Sequence, residues 1–142
     1  MARRTKARAA EHNQLGVTFF RSGAVDLAVK QFTIATKQAP WVPSYWLNLG
    51  IAQLEQGAPA QAKSALERAL VLNPKSQSAV FHLAQLYERR GDQAASRSAY
   101  LKAIELDPST NLARRARERV EGWRPRIIIE PCGADQDGKA RE

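Results

Sequence analysis

Cysteine occurs once in this 142-residue chain, at Cys132, and histidine twice, at His12 and His82. One thiol excludes an intrachain disulfide, and one cysteine with two distant histidines lacks the spacing of a zinc motif. Redox and metal chemistry are therefore poor readings, and the expectation for cofactors is none. Cys132 itself, alone and outside any motif, reads as an ordinary reduced thiol. Long apolar runs are missing too. The start, Met-Ala-Arg-Arg-Thr-Lys, is basic, but no apolar core of a signal peptide follows it and nothing approaches a membrane span. The expectation is a soluble, cytoplasmic protein. No Gly-rich phosphate loop, Ser-His-Asp pattern or paired-carboxylate motif stands out, so the chain reads as non-catalytic.

What is present is close to the globular average: 44% hydrophobic and 25% charged residues, with 8 Gly and 7 Pro. The length suits one domain. The net charge of +8 is unevenly spread. Arg3, Arg4, Lys6 and Arg8 stand in the first ten residues without an acid, and six arginines between Asn111 and Arg126 face only Glu118 and Glu121. Residues 11–110 are nearly balanced, and the tail from Ile127 is slightly acidic. Positive ends can attract nucleic acid or another polyanion, but short solvated clusters are common without such a role. Arg114, Arg115, Arg117 and Arg119 would also spread around a helix rather than form one stripe, which argues against nucleic acid.

A repeat sets the architecture. Pro40, Pro74 and Pro108 recur at an interval of 34 residues. The same step relates Ala35, Ala69 and Ala103; Phe32, Leu66 and Tyr100; Gly16, Gly50 and Ala84; and Gly23, Gly57 and Gly91. Each column has a task in a helical hairpin. A small residue at 16, 50 or 84 admits a partner helix, and glycine at 23, 57 or 91 ends the first helix in left-handed geometry. Asp92 suits an N-cap, and Pro59 a first-turn position. Ala28/Phe32/Ala35, Ala62/Leu66/Ala69 and Ser96/Tyr100/Ala103 each share one helix face. The prolines then stop the second helices.

These residues resemble the tetratricopeptide repeat family, whose pattern runs Trp-x-x-Leu-Gly, an aromatic, Ala-x-x-x-Phe and a final Pro. Residues 43–76 match with Trp46, Leu49, Gly50, Ala62, Leu66, Ala69 and Pro74, Gln53 replacing the aromatic. Residues 9–42 match with Leu15, Gly16, Phe19, Ala28, Phe32, Ala35 and Pro40, His12 standing where tryptophan is usual. Residues 77–110 match with Leu83, Ala84, Tyr87, Tyr100, Ala103 and Pro108, carrying Val80 and Ser96 as departures. The resemblance implies an all-α fold, a right-handed α-solenoid of three helix-turn-helix repeats. A stack leaves its last apolar face open, so a capping helix is expected over 111–122, capped by Ser109 or Thr110, with Leu112, Ala116 and Val120 on its buried side. The domain then covers 9–124, after a basic extension over 1–8. A tail over 125–142 follows, partly disordered, with the Ile127–Ile129 strip bounded by prolines.

The resemblance also implies a concave face built by the first helices, where a protein or peptide partner docks. Its positions fall on Asn13, Gln14, Val17, Phe20 and Arg21, then Leu47, Asn48, Ile51 and Glu55, then Phe81, His82, Gln85 and Arg89. Arg115 and Arg119 of the capping helix are further contacts for an acidic ligand. Val17, Leu47, Ile51 and Phe81 would bury apolar side chains, the amides would bond an extended backbone, and the arginines would take carboxylates. Packing between neighbouring helices is the plain alternative for any one apolar member. The two-carboxylate clamp known in some members would need its cations and amides at Asn13, Val17, Asn48, Ser78 and His82. Only Asn48 matches, so that clamp is not expected. His82 could make binding sensitive to pH, although a polar lining role is the simpler reading. Self-association is a further reading, through the Ile127–Ile129 strip docking in its own or a neighbour's groove.

Overall fold

The computed structural model describes residues 2–122. Met1, Trp123, the Ile127–Ile129 strip, Cys132 and the rest of the tail lie outside the described residues. All regular structure in the described part is helical: α1 (Ala2–Arg21), α2 (Val25–Gln38), α3 (Pro43–Gln56), α4 (Pro59–Leu72), α5 (Gln77–Arg89), α6 (Gln93–Leu106) and α7 (Asn111–Gly122). The basic extension is not separate, because it forms the first turns of α1.

The same local chemistry closes each hairpin. Gly23, Gly57 and Gly91 have φ of 87°, 87° and 81°, a region that side chains disfavour. The amides of Ala24, Ala58 and Asp92 reach back to the carbonyls of Phe19, Gln53 and Tyr87, each at 2.9 Å, satisfying groups the helix end would otherwise leave open. Asp92 then caps α6 by accepting from the Ala95 amide at 3.2 Å, and Pro59 opens α4. At the far ends, Ala39, Asn73 and Asp107 all leave helical geometry (φ −137°, −140° and −160°), as the following prolines require.

Packing follows the small-residue column. Gly16 faces the Phe32 ring and Gly50 faces Leu66 so closely that a Cβ would lie 2.5 Å and 2.7 Å from them. Ala28, Phe32, Leu49, Ala52 and Ala65 then form one buried cluster joining the first hairpin to the second. A second cluster, Val80, Phe81, Ala84, Tyr100, Ala103 and Ala116, joins the third hairpin to α7. The capping helix begins at Thr110, whose hydroxyl accepts from the Ala113 amide at 3.0 Å, while Ser109 bonds Asp107 instead. Its fully buried residues are Ala113 and Ala116, with Leu112 and Val120 half-buried beside them. Gln77 ties this end together: its Nε2 donates to the carbonyls of Ala103 and Asp107, and its Oε1 accepts from Thr110, all at 2.8 Å.

Each helix packs on the next, and α1, α3, α5 and α7 also touch one another in order, whereas α2, α4 and α6 do not. Helices in mutual contact on one side and splayed on the other make a curved stack, a solenoid with the first helices inside.

Candidate functional site

The inner face is built by α1, α3 and α5, and the fifteen residues expected there divide into three groups. Val17, Phe20 and Arg21 of α1 come together with Asn48 and Ile51 of α3 around an open cleft. A sixth wall, Phe32 of α2, was not anticipated. It belongs to the second helix, yet its ring reaches the inner side because Gly16 offers no side chain to block it. The pairing of the glycine and phenylalanine columns was the available signal. Asn13 sits at the edge of this region, its Oδ1 accepting from Asn48 Nδ2 at 2.9 Å, so these two amides partly satisfy each other and hold α1 to α3. Gln14 is exposed, and Leu47 and Gln85 are half-buried near the same face.

The second group is already engaged within the protein. Glu55 and Arg89, both expected on the groove, face each other: Arg89 donates to Glu55 Oε2 and to the Leu54 carbonyl, each at 3.1 Å. Both side chains are about half exposed, so the pair adds little stability, but it sets where the charges lie. Arg119 is likewise not a waiting anion site. Its Nε donates to Glu88 Oε1 at 3.2 Å and its Nη2 to Oε2, a two-point grip. Tyr100 donates to the same carboxylate at 2.7 Å. Burial works to raise the Glu88 carboxyl, but the Arg119 and Tyr100 hydrogen bonds and both nearby arginines outweigh it and hold it below the usual carboxylate range. This grip fastens α7 to α5.

The third group corrects the expectation of an apolar anchor at the C-terminal half. Phe81 is 1% exposed and belongs to the core. Its ring meets Tyr100 edge-on at 5.5 Å and is roofed by the Arg115 guanidinium at 4.8 Å. The cause is the added helix: α7 supplies Arg115 over a ring that a bare last repeat would show to solvent. His82 is tied to its own helix. Its Nδ1 lies 2.7 Å from the Ser78 carbonyl, which can only accept, so that nitrogen carries the proton. Burial pushes its pKa below the ordinary value despite that bond, and Arg115 and Arg89 push the same way against Glu55.

The arginine-rich end is less available than its composition suggests. Arg114 bonds Asn111 and Glu118, Arg117 bonds the Pro108 carbonyl, and Arg119 is held by Glu88. Among the described residues no group of three or more His, Cys, Asp or Glu side chains is placed to hold a metal ion. No helix there is long and apolar enough to cross a membrane.

A family model described as tetratricopeptide repeat matches residues 13–62 and 47–110. Among solved structures, the Arabidopsis OM64 TPR domain superposes with a TM-score of 0.77 at 19% identity, covering 83% of this chain and 98% of its own. The Yersinia enterocolitica type III secretion chaperone SycD, in complex with a peptide of the translocator YopD, gives 0.75 at 21% identity, with 80% and 89% covered. The first TPR of Spaghetti (RPAP3), bound to the HSP90 peptide SRMEEVD, gives 0.75 at 20%, with 82% and 93% covered. No curated protein matches the sequence.

Proposed function

Because this chain belongs to the tetratricopeptide repeat family, we propose that it is a non-catalytic adaptor holding an extended segment of a partner protein against its inner face. The observation that carries this reading is the open cleft between α1 and α3, where Val17, Phe20 and Ile51 present apolar surface over the buried Phe32 ring, beside the amide of Asn48 and the cation of Arg21. Such a mixture suits a peptide with one apolar anchor and an acid next to it, the anchor losing water and the amide meeting backbone groups. The anchor site is thus in the first two repeats rather than the third, since Phe81 is closed off. Two structurally similar chaperone and TPR domains were solved with peptides, which supports the class of ligand without naming one here.

The test is a peptide-library screen on the full chain, followed by anisotropy titration of the ligands found. Ile51→Ala is expected to weaken binding by roughly tenfold, as loss of a buried apolar contact does. Phe81→Leu should leave affinity unchanged. Ligands indifferent to Ile51, Val17 and Phe20 together would remove the cleft from the argument.

A further inference from the structure

Packing has sorted the four arginines expected at the inner face. Arg89 is bonded to Glu55 and Arg119 to Glu88, so both charges are answered within the chain. Arg21, the last residue of α1, and Arg115, in the second turn of α7, are exposed and make no hydrogen bond or ion pair among the described residues. Arg115 is nonetheless held in place. Its guanidinium lies 4.8 Å over the buried Phe81 ring, a contact that spends none of its five N–H donors in hydrogen bonds. Neither arginine stands at one of the clamp positions named above. The 34-residue step puts Arg115 in the column of Asn13, which precedes Arg21 by eight residues. Eight residues are about 12 Å along a helix axis. The inner helices touch in the order α1, α3, α5 and α7, and each step between helix axes is about 8–10 Å. With allowance for the curve of the stack, the two free cations stand roughly 25–30 Å apart. Groups suited to a peptide backbone lie between them. The Gln85 amide has no partner among the described residues, and His82 keeps Nε2 to accept because Nδ1 is committed to the Ser78 carbonyl.

We infer that the inner face takes an extended acidic peptide spanning all four inner helices, one carboxylate meeting Arg21 beside the apolar anchor and a second, about eight residues away, meeting Arg115. This rests on the peptide reading above and adds to it a second anion subsite, on the capping helix. The spacing follows from an extended strand, which covers that gap at about 3.3 Å per residue. The subsite is pre-set, because the Phe81 ring holds the guanidinium while its fork of donors stays open to a carboxylate. A nucleic acid fits this arrangement worse. Its phosphates follow one another about every 3.4 Å along a strand, and between the two free cations they would meet Glu55 and Glu88, whose carboxylates already hold the intervening arginines. Two isolated cations instead match two acids set apart in a chain that is otherwise uncharged.

The test is selection on the immobilised full chain from a library of random peptides of about fourteen residues, long enough for that span, then anisotropy titration of one selected peptide. Selected sequences should carry an acid beside an apolar residue and a second acid about eight residues away. Arg115→Gln should keep the helical circular dichroism of the parent, weaken that peptide about fivefold and erase the distal acid from sequences selected on it. The acid beside the anchor should persist. Replacing the peptide's distal acid by lysine should cost as much, and the lysine peptide should regain affinity on Arg115→Glu. That recovery separates a charge contact from damage to the roof over Phe81. Ligands that depend on Ile51 but show no paired acids, or that bind Arg115→Gln as tightly as the parent, overturn this inference and leave the peptide reading standing. A library that yields no ligand removes the peptide reading and this inference with it. Displacement of the peptide by a single-stranded oligonucleotide of similar length would overturn the choice of a peptide as the acid's carrier.

Discussion

A single methyl group at residue 16 measures how tightly the first hairpin is closed. In Gly16→Ala the new Cβ would stand 2.5 Å from Phe32 Cε1 and 2.6 Å from Cδ1, about 1 Å inside ordinary carbon contact. The ring has no easy retreat, since it is packed with Ala28, Leu49, Ala52 and Ala65. Two effects compete. Alanine in place of glycine favours a helix by about 1 kcal/mol, whereas forcing extra volume into a filled core costs about 1–3 kcal/mol. With the ring pinned, the second effect wins, and a net loss of up to about 2 kcal/mol is expected. For a chain of this length that is a fall of up to about 6 °C in Tm. Thermal and urea unfolding followed by circular dichroism would read it. Phe32→Ala opens the space the methyl needs, so the double variant should lose less than the sum of the two single losses, by about 1 kcal/mol. A neutral or stabilised Gly16→Ala, or strictly additive losses, would refute the close approach as the reason for glycine in this column.

Two further outcomes follow from particular side chains. Gln53 stands in the column where the other repeats carry Phe19 and Tyr87, and its Oε1 is buried without a hydrogen-bond partner among the described residues. Gln53→Tyr should raise the urea midpoint by an amount equivalent to about 1 kcal/mol, and an unchanged or lower midpoint would count against that orphaned oxygen as a weakness. Tyr100 is pushed up to about 12 by burial and by its bond to Glu88. Its neutral form is thus favoured by folding, and the stability it contributes is full below pH 10 and drains away as pH rises toward 12. Tyr100→Phe should flatten that alkaline limb of a stability–pH profile; a limb of the same steepness in the variant would assign it to other groups.

The repeat, its 34-residue step and the ends of its helices were legible because they depend on backbone geometry within a few residues. Glycine at 23, 57 and 91 and proline at 40, 74 and 108 act locally, and the structure places the hairpin turns and helix stops at those positions. The inner face was legible as a list of helix positions for the same reason. Its working members were not. Phe32 closes the floor of the cleft from a second helix, its buried ring set against Gly16.

Charge and exposure were set at longer range. Arg89 meets Glu55 across 34 residues and Arg119 meets Glu88 across 31, so two arginines that looked free in the sequence are spoken for. Phe81 looked like an anchor until α7 laid Arg115 over it. Sequence alone determined the hairpins, since a φ angle or a missing amide hydrogen is a property of one residue and its neighbours. Tertiary structure decided which side chains remain to meet a partner, because burial and ion pairing depend on distances between helices, and only their stacking fixes those distances.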